Sequence, residues 1–108
     1  METSLKGTVV IINFPFSDLS AVKKRPALIV ADLGNDDVIL AQITSIANKD
    51  VYAIELKSED FSEGFLIKTS FVRPNKLFTA DKRIFLQVVG KLNDNKLEKV
   101  IDKIHEFF

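Results

Sequence analysis

Three unbroken apolar runs, Val9–Ile12, Ala27–Ala31 and Val38–Ala41, set the strongest limit on how this chain folds. Each is four or five residues long, too short for a helix of ordinary length. The first lies in Thr8-Val9-Val10-Ile11-Ile12-Asn13-Phe14, rich in β-branched residues, opened by Gly7 and stopped by Pro15. Pro26 precedes the second run, and the turn cluster Leu33-Gly34-Asn35-Asp36-Asp37 separates it from the third. These read as largely buried strands. Val51–Leu56 alternates well enough for a fourth strand, and Phe65–Arg73 and Ile84–Leu92 for two more, with a polar segment Pro74–Arg83 between them. Phe16–Lys24 reads as a polar loop, and Ser58–Gly64 as one short helical turn capped by Ser58 and ended by Gly64. Only the C-terminus has helical spacing. Leu97, Val100, Ile101, Ile104, Phe107 and Phe108 fall on one stripe, with Asn93 or Asp94 as the cap and Lys99, Asp102, Lys103 and Glu106 outward. The expected fold is mainly β with α: a bent sheet or small barrel of five to seven strands with a C-terminal helix packed on it.

No run approaches the length that crosses a bilayer, so no membrane partner is expected. Residues 1–108 are read as one domain, with 46% apolar and 28% charged residues, a globular balance. The chain has no cysteine, which excludes disulfides, cysteine nucleophiles and thiolate metal sites. Its one histidine, His105, lies off the apolar stripe and reads as a surface residue. Neither a histidine-rich metal site nor two-histidine acid–base chemistry is available within one chain. The four glycines are scattered, so no phosphate loop or nucleotide-cofactor fingerprint is present. No cofactor and no metal are expected. Met1–Gly7 carries no basic stretch followed by an apolar core, so no secretory signal is expected and a cytoplasmic location is.

Fifteen basic and fifteen acidic residues cancel, which argues against a bulk polyanion binder. Their distribution is uneven. Glu55–Glu63 holds four acids and one base, whereas Lys68–Arg83 holds five bases and one acid. Lys23-Lys24-Arg25 forms a second basic cluster. A fold that joined the two clusters would have a basic face on a neutral protein. Three segments carry candidate chemistry. In Lys23-Lys24-Arg25-Pro26, the proline biases Arg25 to an extended backbone at a strand entry, and its planar guanidinium matches a phosphate. Gln42-Ile43-Thr44-Ser45 ends a strand in two hydroxyls, able to donate to a non-bridging phosphate oxygen or to their own backbone. Ser70-Phe71-Val72-Arg73-Pro74-Asn75-Lys76 repeats the Arg-Pro step. Phe16, in the first loop, is a candidate for stacking an unpaired base.

The order of these segments resembles the MazF/PemK-type toxins of toxin–antitoxin pairs. The matching pieces are Lys6–Val10, Phe14–Leu19, Arg25–Val30, Asp37–Ser45, Ser70–Leu77 and Gly90-Lys91-Leu92, covering nearly the whole chain from Lys6 onward. Arg25-Pro26-Ala27-Leu28-Ile29-Val30 is the most distinctive. The resemblance implies an SH3-like barrel with a C-terminal helix, usually a homodimer. It implies a metal-independent endoribonuclease that cuts single-stranded RNA at short sequences by 2′-hydroxyl attack, leaving a 2′,3′-cyclic phosphate and a 5′-hydroxyl. It assigns the chemistry to Arg25, Thr44 and Ser45; on a nuclease reading, Phe16, Lys23, Lys24, Pro26, Gln42, Arg73, Asn75 and Lys76 are the expected RNA contacts. It also implies a cognate antitoxin whose disordered tail covers the groove.

Some relatives have Arg-x-Asp where this chain has Arg73-Pro74-Asn75, and an amide cannot replace a carboxylate as general base. The base is therefore left open, with Asp18 the candidate by position. Two alternatives stand beside the nuclease: a non-enzymatic inhibitor that binds a protein such as DNA gyrase through the helix end around His105–Phe108, and a catalytically silent RNA- or antitoxin-binding module.

Overall fold

The computed structural model describes residues 4–15, 22–45 and 51–108. Phe16 and Asp18 lie outside these residues. Seven strands run β1 Thr8–Pro15, β2 Val22–Asp32, β3 Asp37–Thr44, β4 Ile54–Leu56, β5 Phe61–Gly64, β6 Ser70–Asp81 and β7 Phe85–Leu92. Helix α1, Asp94–His105, follows. The strands form one antiparallel sheet in the order β4-β6-β3-β2-β1-β7-β5. Among the described residues no ladder joins β4 to β5, so the curled sheet is a half-barrel, the expected mainly β fold with its terminal helix. No helix among the described residues is long and apolar enough to cross a membrane.

Successive side chains of a strand point to opposite faces. An unbroken apolar run therefore needs both faces covered, and the curl provides this. Val9, Leu28, Val30, Ala41, Ile43 and Val72 pack on one side with Leu92 and with Val100 and Ile104 of α1. Their neighbours Val10, Ile12, Ala27, Ile29, Val38 and Leu40 pack on the other, against Phe78 and Phe85. α1 starts as its sequence suggests: the Asn93 side-chain oxygen accepts from the Lys96 N–H at 2.8 Å. Its apolar stripe is shorter than expected, because the helix ends at His105. Phe107 lies edge-on to Tyr52, with centroids 5.0 Å apart, and Phe108 is exposed.

Four expectations need correction. Lys23 and Lys24 are not in a loop; they pair with Phe14 and Asn13 in the β1–β2 ladder, and both residues remain exposed. Residues 65–69 are not strand, for β6 begins at Ser70. Nor does that strand stop at Pro74. The β3–β6 register passes from Gln42↔Arg73 directly to Ala41↔Leu77, so Pro74, Asn75 and Lys76 form a bulge. A bulge tolerates a proline because the residue there owes no N–H to the ladder. Finally, Ser58 is not a cap. The Asp60 carboxylate accepts from the Lys57 N–H at 2.8 Å, and the chain then enters β5 rather than continuing as helix.

Two close contacts fix the frame. Gly64 pairs with Gly90 where β5 crosses β7. Gly64 has φ +69°, and a Cβ there would lie 2.7 Å from the Gly90 Cα, against backbone that cannot move aside. At the opposite end of the sheet, Asp32 accepts from the Leu5 N–H at 2.9 Å and the Gly34 N–H at 3.0 Å, and pairs with Lys82 at 3.2 Å. These bonds, with the two backbone N–H donors foremost, lower its carboxyl from 3.8 to about 2.

Gly64→Ala is expected to destabilise the protein by at least about 2 kcal/mol from backbone strain alone, read by urea unfolding. Asp32 should stabilise the fold above about pH 4 and cease to do so as pH falls towards 2, because its folded pKa lies below its unfolded one. Melting curves of wild type and Asp32→Asn should therefore differ at neutral pH and converge towards pH 2; a gap that persists there would show that the carboxylate charge is not what is lost.

Candidate nucleic-acid interface

The basic start of β2 and the hydroxyl-bearing end of β3 meet at one end of the half-barrel. Ala27↔Gln42 is the last pair of their ladder, with Arg25 two residues before it on β2 and Thr44 two residues after it on β3. A groove of about 840 Å³ opens here. Its floor comes from β1, β2 and β3 through Ile11, Pro26 and Ile43, and its walls from β7 at Gln87–Val89 and from the segment Gly64–Lys68. Lys23, Lys24, Arg25, Ser45 and Ser70 also line it.

Strand alternation divides the expected site residues. Pro26, Ile43 and Ser70 share the face of Leu28, Ala41 and Val72, on the helix side, and Ser45 continues this phase. Arg25, Gln42, Thr44 and Arg73 take the opposite phase, that of Ala27 and Leu40. Arg25 still lines the groove, because it lies near the start of β2. Gln42, Thr44 and Arg73 are not among the lining residues. Arg73 instead donates to Gln42 Oε1 at 3.4 Å, joining the end of β3 to β6. Asn75 and Lys76 are exposed in the β6 bulge and do not line the groove either.

Charge in the groove has one sign. Lys23, Lys24, Arg25 and Lys68 line it, and no Asp or Glu stands among the described lining residues. Such a cleft attracts a polyanion and holds it by its phosphates. Lys68 comes from a different part of the chain than the other three. Its backbone is anchored by buried Ser70, whose Oγ donates to the Lys68 carbonyl at 2.9 Å. Gly64 and Gly90 set where the segment 64–68 leaves the sheet. The motifs of the sequence place no site residue in this segment; the charge of Lys68 is its one legible signal.

The family profile of PemK-like, MazF-like toxins of type II toxin–antitoxin systems matches residues 5–108. A comparison with curated protein sequences finds no significant match. Several solved structures share the fold. A mycobacterial endoribonuclease in complex with its cognate antitoxin is 16% identical with a TM-score of 0.74, over 96% of this chain and 93% of that one. A chain of a MazE–MazF crystal structure from Deinococcus radiodurans is 18% identical with a TM-score of 0.75, over 94% of this chain and 92% of that one. The Mycobacterium tuberculosis toxin MazF-mt6 is 17% identical with a TM-score of 0.65, over 90% and 93%. With the profile spanning nearly all of its length and its half-barrel superposing on these toxins, the chain belongs to the PemK-like, MazF-like toxin family of type II toxin–antitoxin systems.

Proposed function

We propose that this toxin is a metal-independent, sequence-preferring endoribonuclease acting on single-stranded RNA. The observation that carries the reading is the groove whose charged residues, among those described, are all cationic, and which Arg25 and Ser45 both line. Family membership and the endoribonucleases among the structural neighbours support it. In the reaction, the ribose 2′-hydroxyl gives its proton to a base, for which Asp18 is the candidate by position. Its oxygen forms a bond to phosphorus, the bond to the 5′-oxygen breaks, and that oxygen leaves with a proton. The products are a 2′,3′-cyclic phosphate and a 5′-hydroxyl. Negative charge on the non-bridging oxygens rises in the transition state, so donors aimed there accelerate the step. Arg25 supplies the cation and also shields or protonates the leaving oxygen. Ser45 donates to the phosphate from the groove wall. Thr44, next to Ser45 at the end of β3, supplies a second hydroxyl.

Lys23 and Lys24 hold the flanking backbone electrostatically, and Pro26 gives a rigid apolar floor. Gln42 and Arg73, bonded to each other, set the end of β3 from behind. Asn75 and Lys76 offer a separate exposed contact for a longer RNA, and Phe16 a stacking surface. A cytoplasmic homodimer controlled by a cognate antitoxin completes the reading, and two structural neighbours are toxin–antitoxin complexes. An acidic, amphipathic antitoxin tail suits the cationic groove and would compete with RNA for it.

The test is cleavage of a long unstructured RNA in chelator with mapping of the new 5′ ends. Wild type should give discrete cuts with 5′-hydroxyl ends. Arg25→Ala should lower the rate about a hundred- to a thousandfold, the usual cost of losing one transition-state donor, with little change in melting temperature. RNA left intact by the wild type overturns the reading and returns the chain to the non-enzymatic members of its fold.

A further inference from the structure

We infer that the segment between β5 and β6 is a nucleic-acid clamp, in which Phe65 stacks on an unpaired base while Lys68 holds the adjoining phosphate. The inference rests on the ribonuclease reading for the kind of ligand, and on this segment's geometry for the site. Phe65 and Lys68 both line the groove opposite the basic start of β2. Phe65 is 63% exposed and Ile67 93%, although a segment of this apolar character ordinarily hides its large side chains. The reason is local. Residues 65–69 belong to no strand, and Leu66 is the one that packs on the core, so its neighbours Phe65 and Ile67 are left outside.

The segment is nevertheless held at both ends. Gly64 is locked against Gly90 by the close strand crossing, and the Ser70 hydroxyl holds the Lys68 carbonyl. A ring presented from a tethered segment loses little freedom when a base stacks on it. Lys68 lines a groove that also holds Lys23, Lys24 and Arg25, with no acid among its described lining. An aromatic face beside a row of cations fits a single strand better than a duplex, whose bases are stacked on one another and unavailable. Sequence preference then depends in part on which base lies over Phe65.

The experiment uses the full chain and a fluorescent single-stranded oligonucleotide with 2′-deoxy sugars, which binds but is not cut. Phe65→Ala should weaken binding about tenfold, and Phe65→Tyr should restore it, as expected for stacking. Lys68→Gln should lower the slope of log affinity against log salt by about 0.7, one phosphate contact on a single strand. In the cleavage assay on RNA, Phe65→Ala should change the relative use of cut sites, a readout that simple loss of fold would not give. Unchanged affinity and unchanged cut-site preference in Phe65→Ala, with an active wild type, overturn the clamp and leave the nuclease reading intact. Phe65-dependent binding by a wild type that cuts no RNA supports the clamp and overturns the nuclease. A drop in molar mass of Phe65→Ala by light scattering overturns the clamp and assigns Phe65 to a contact between copies.

Discussion

The central strands β1, β2 and β3 carry apolar side chains at successive positions, and a strand offers successive positions to opposite faces. A flat sheet with one covered side would leave half of Val9–Ile12, Ala27–Ala31 and Val38–Ala41 in water. Curling the sheet covers both. One face packs on α1 through Val100 and Ile104, and the other on Phe78 and Phe85 from the later strands. The curl also forces β5 across β7 so closely that only glycines fit at Gly64 and Gly90. The groove is a by-product of that geometry, since it opens where β2 starts and the segment leaving β5 rises beside it.

The same alternation that fills the core gives the site its order. Arg25 and Pro26 are adjacent in sequence but differ in phase, and so are Thr44 and Ser45. One residue of each pair therefore lies on the helix-side face and the other on the opposite phase. The groove takes Pro26 and Ser45 from one phase and Arg25 from the other, the latter because it stands near a strand end. Gln42 and Arg73 are drawn into a contact with each other that stiffens the β3–β6 junction. Residues grouped by motif are thus split by structure into a lining set and a supporting set. The charge pattern has the same logic: a chain of zero net charge builds a locally cationic cleft by bringing Lys68 to Lys23, Lys24 and Arg25.

Much of this is legible in the order of residues alone. The apolar runs locate β1, β2 and β3, the turn cluster at Gly34 separates two of them, and the stripe with Asn93 as cap locates α1. These signals are local, since burial on both faces and capping are written in neighbouring residues. Sequence and structure part where a local cue has two physical outcomes. Pro74 signals the end of a strand but sits in a bulge, because a bulge removes the need for its N–H as completely as a loop does. Phe65–Lys68 has the composition of a strand but pairs with no strand among the described residues. Lys23 and Lys24 have the polarity of loop residues but are paired by β1.

Residue types and their local spacing determined the chemistry open to this protein: no thiol, a single imidazole, an arginine at a strand entry and hydroxyls at a strand end. They determined the strands and the helix for the same reason. Tertiary structure alone decided which of those groups share a cleft. That choice depends on strand order, on register and on one bulge, and each of these is fixed by contacts between residues far apart in the chain. Lys68 shows the difference most plainly. Its charge is evident in the sequence, but its place in the same groove as Arg25 exists only because two glycines let β5 cross β7 and a buried serine holds the segment that follows.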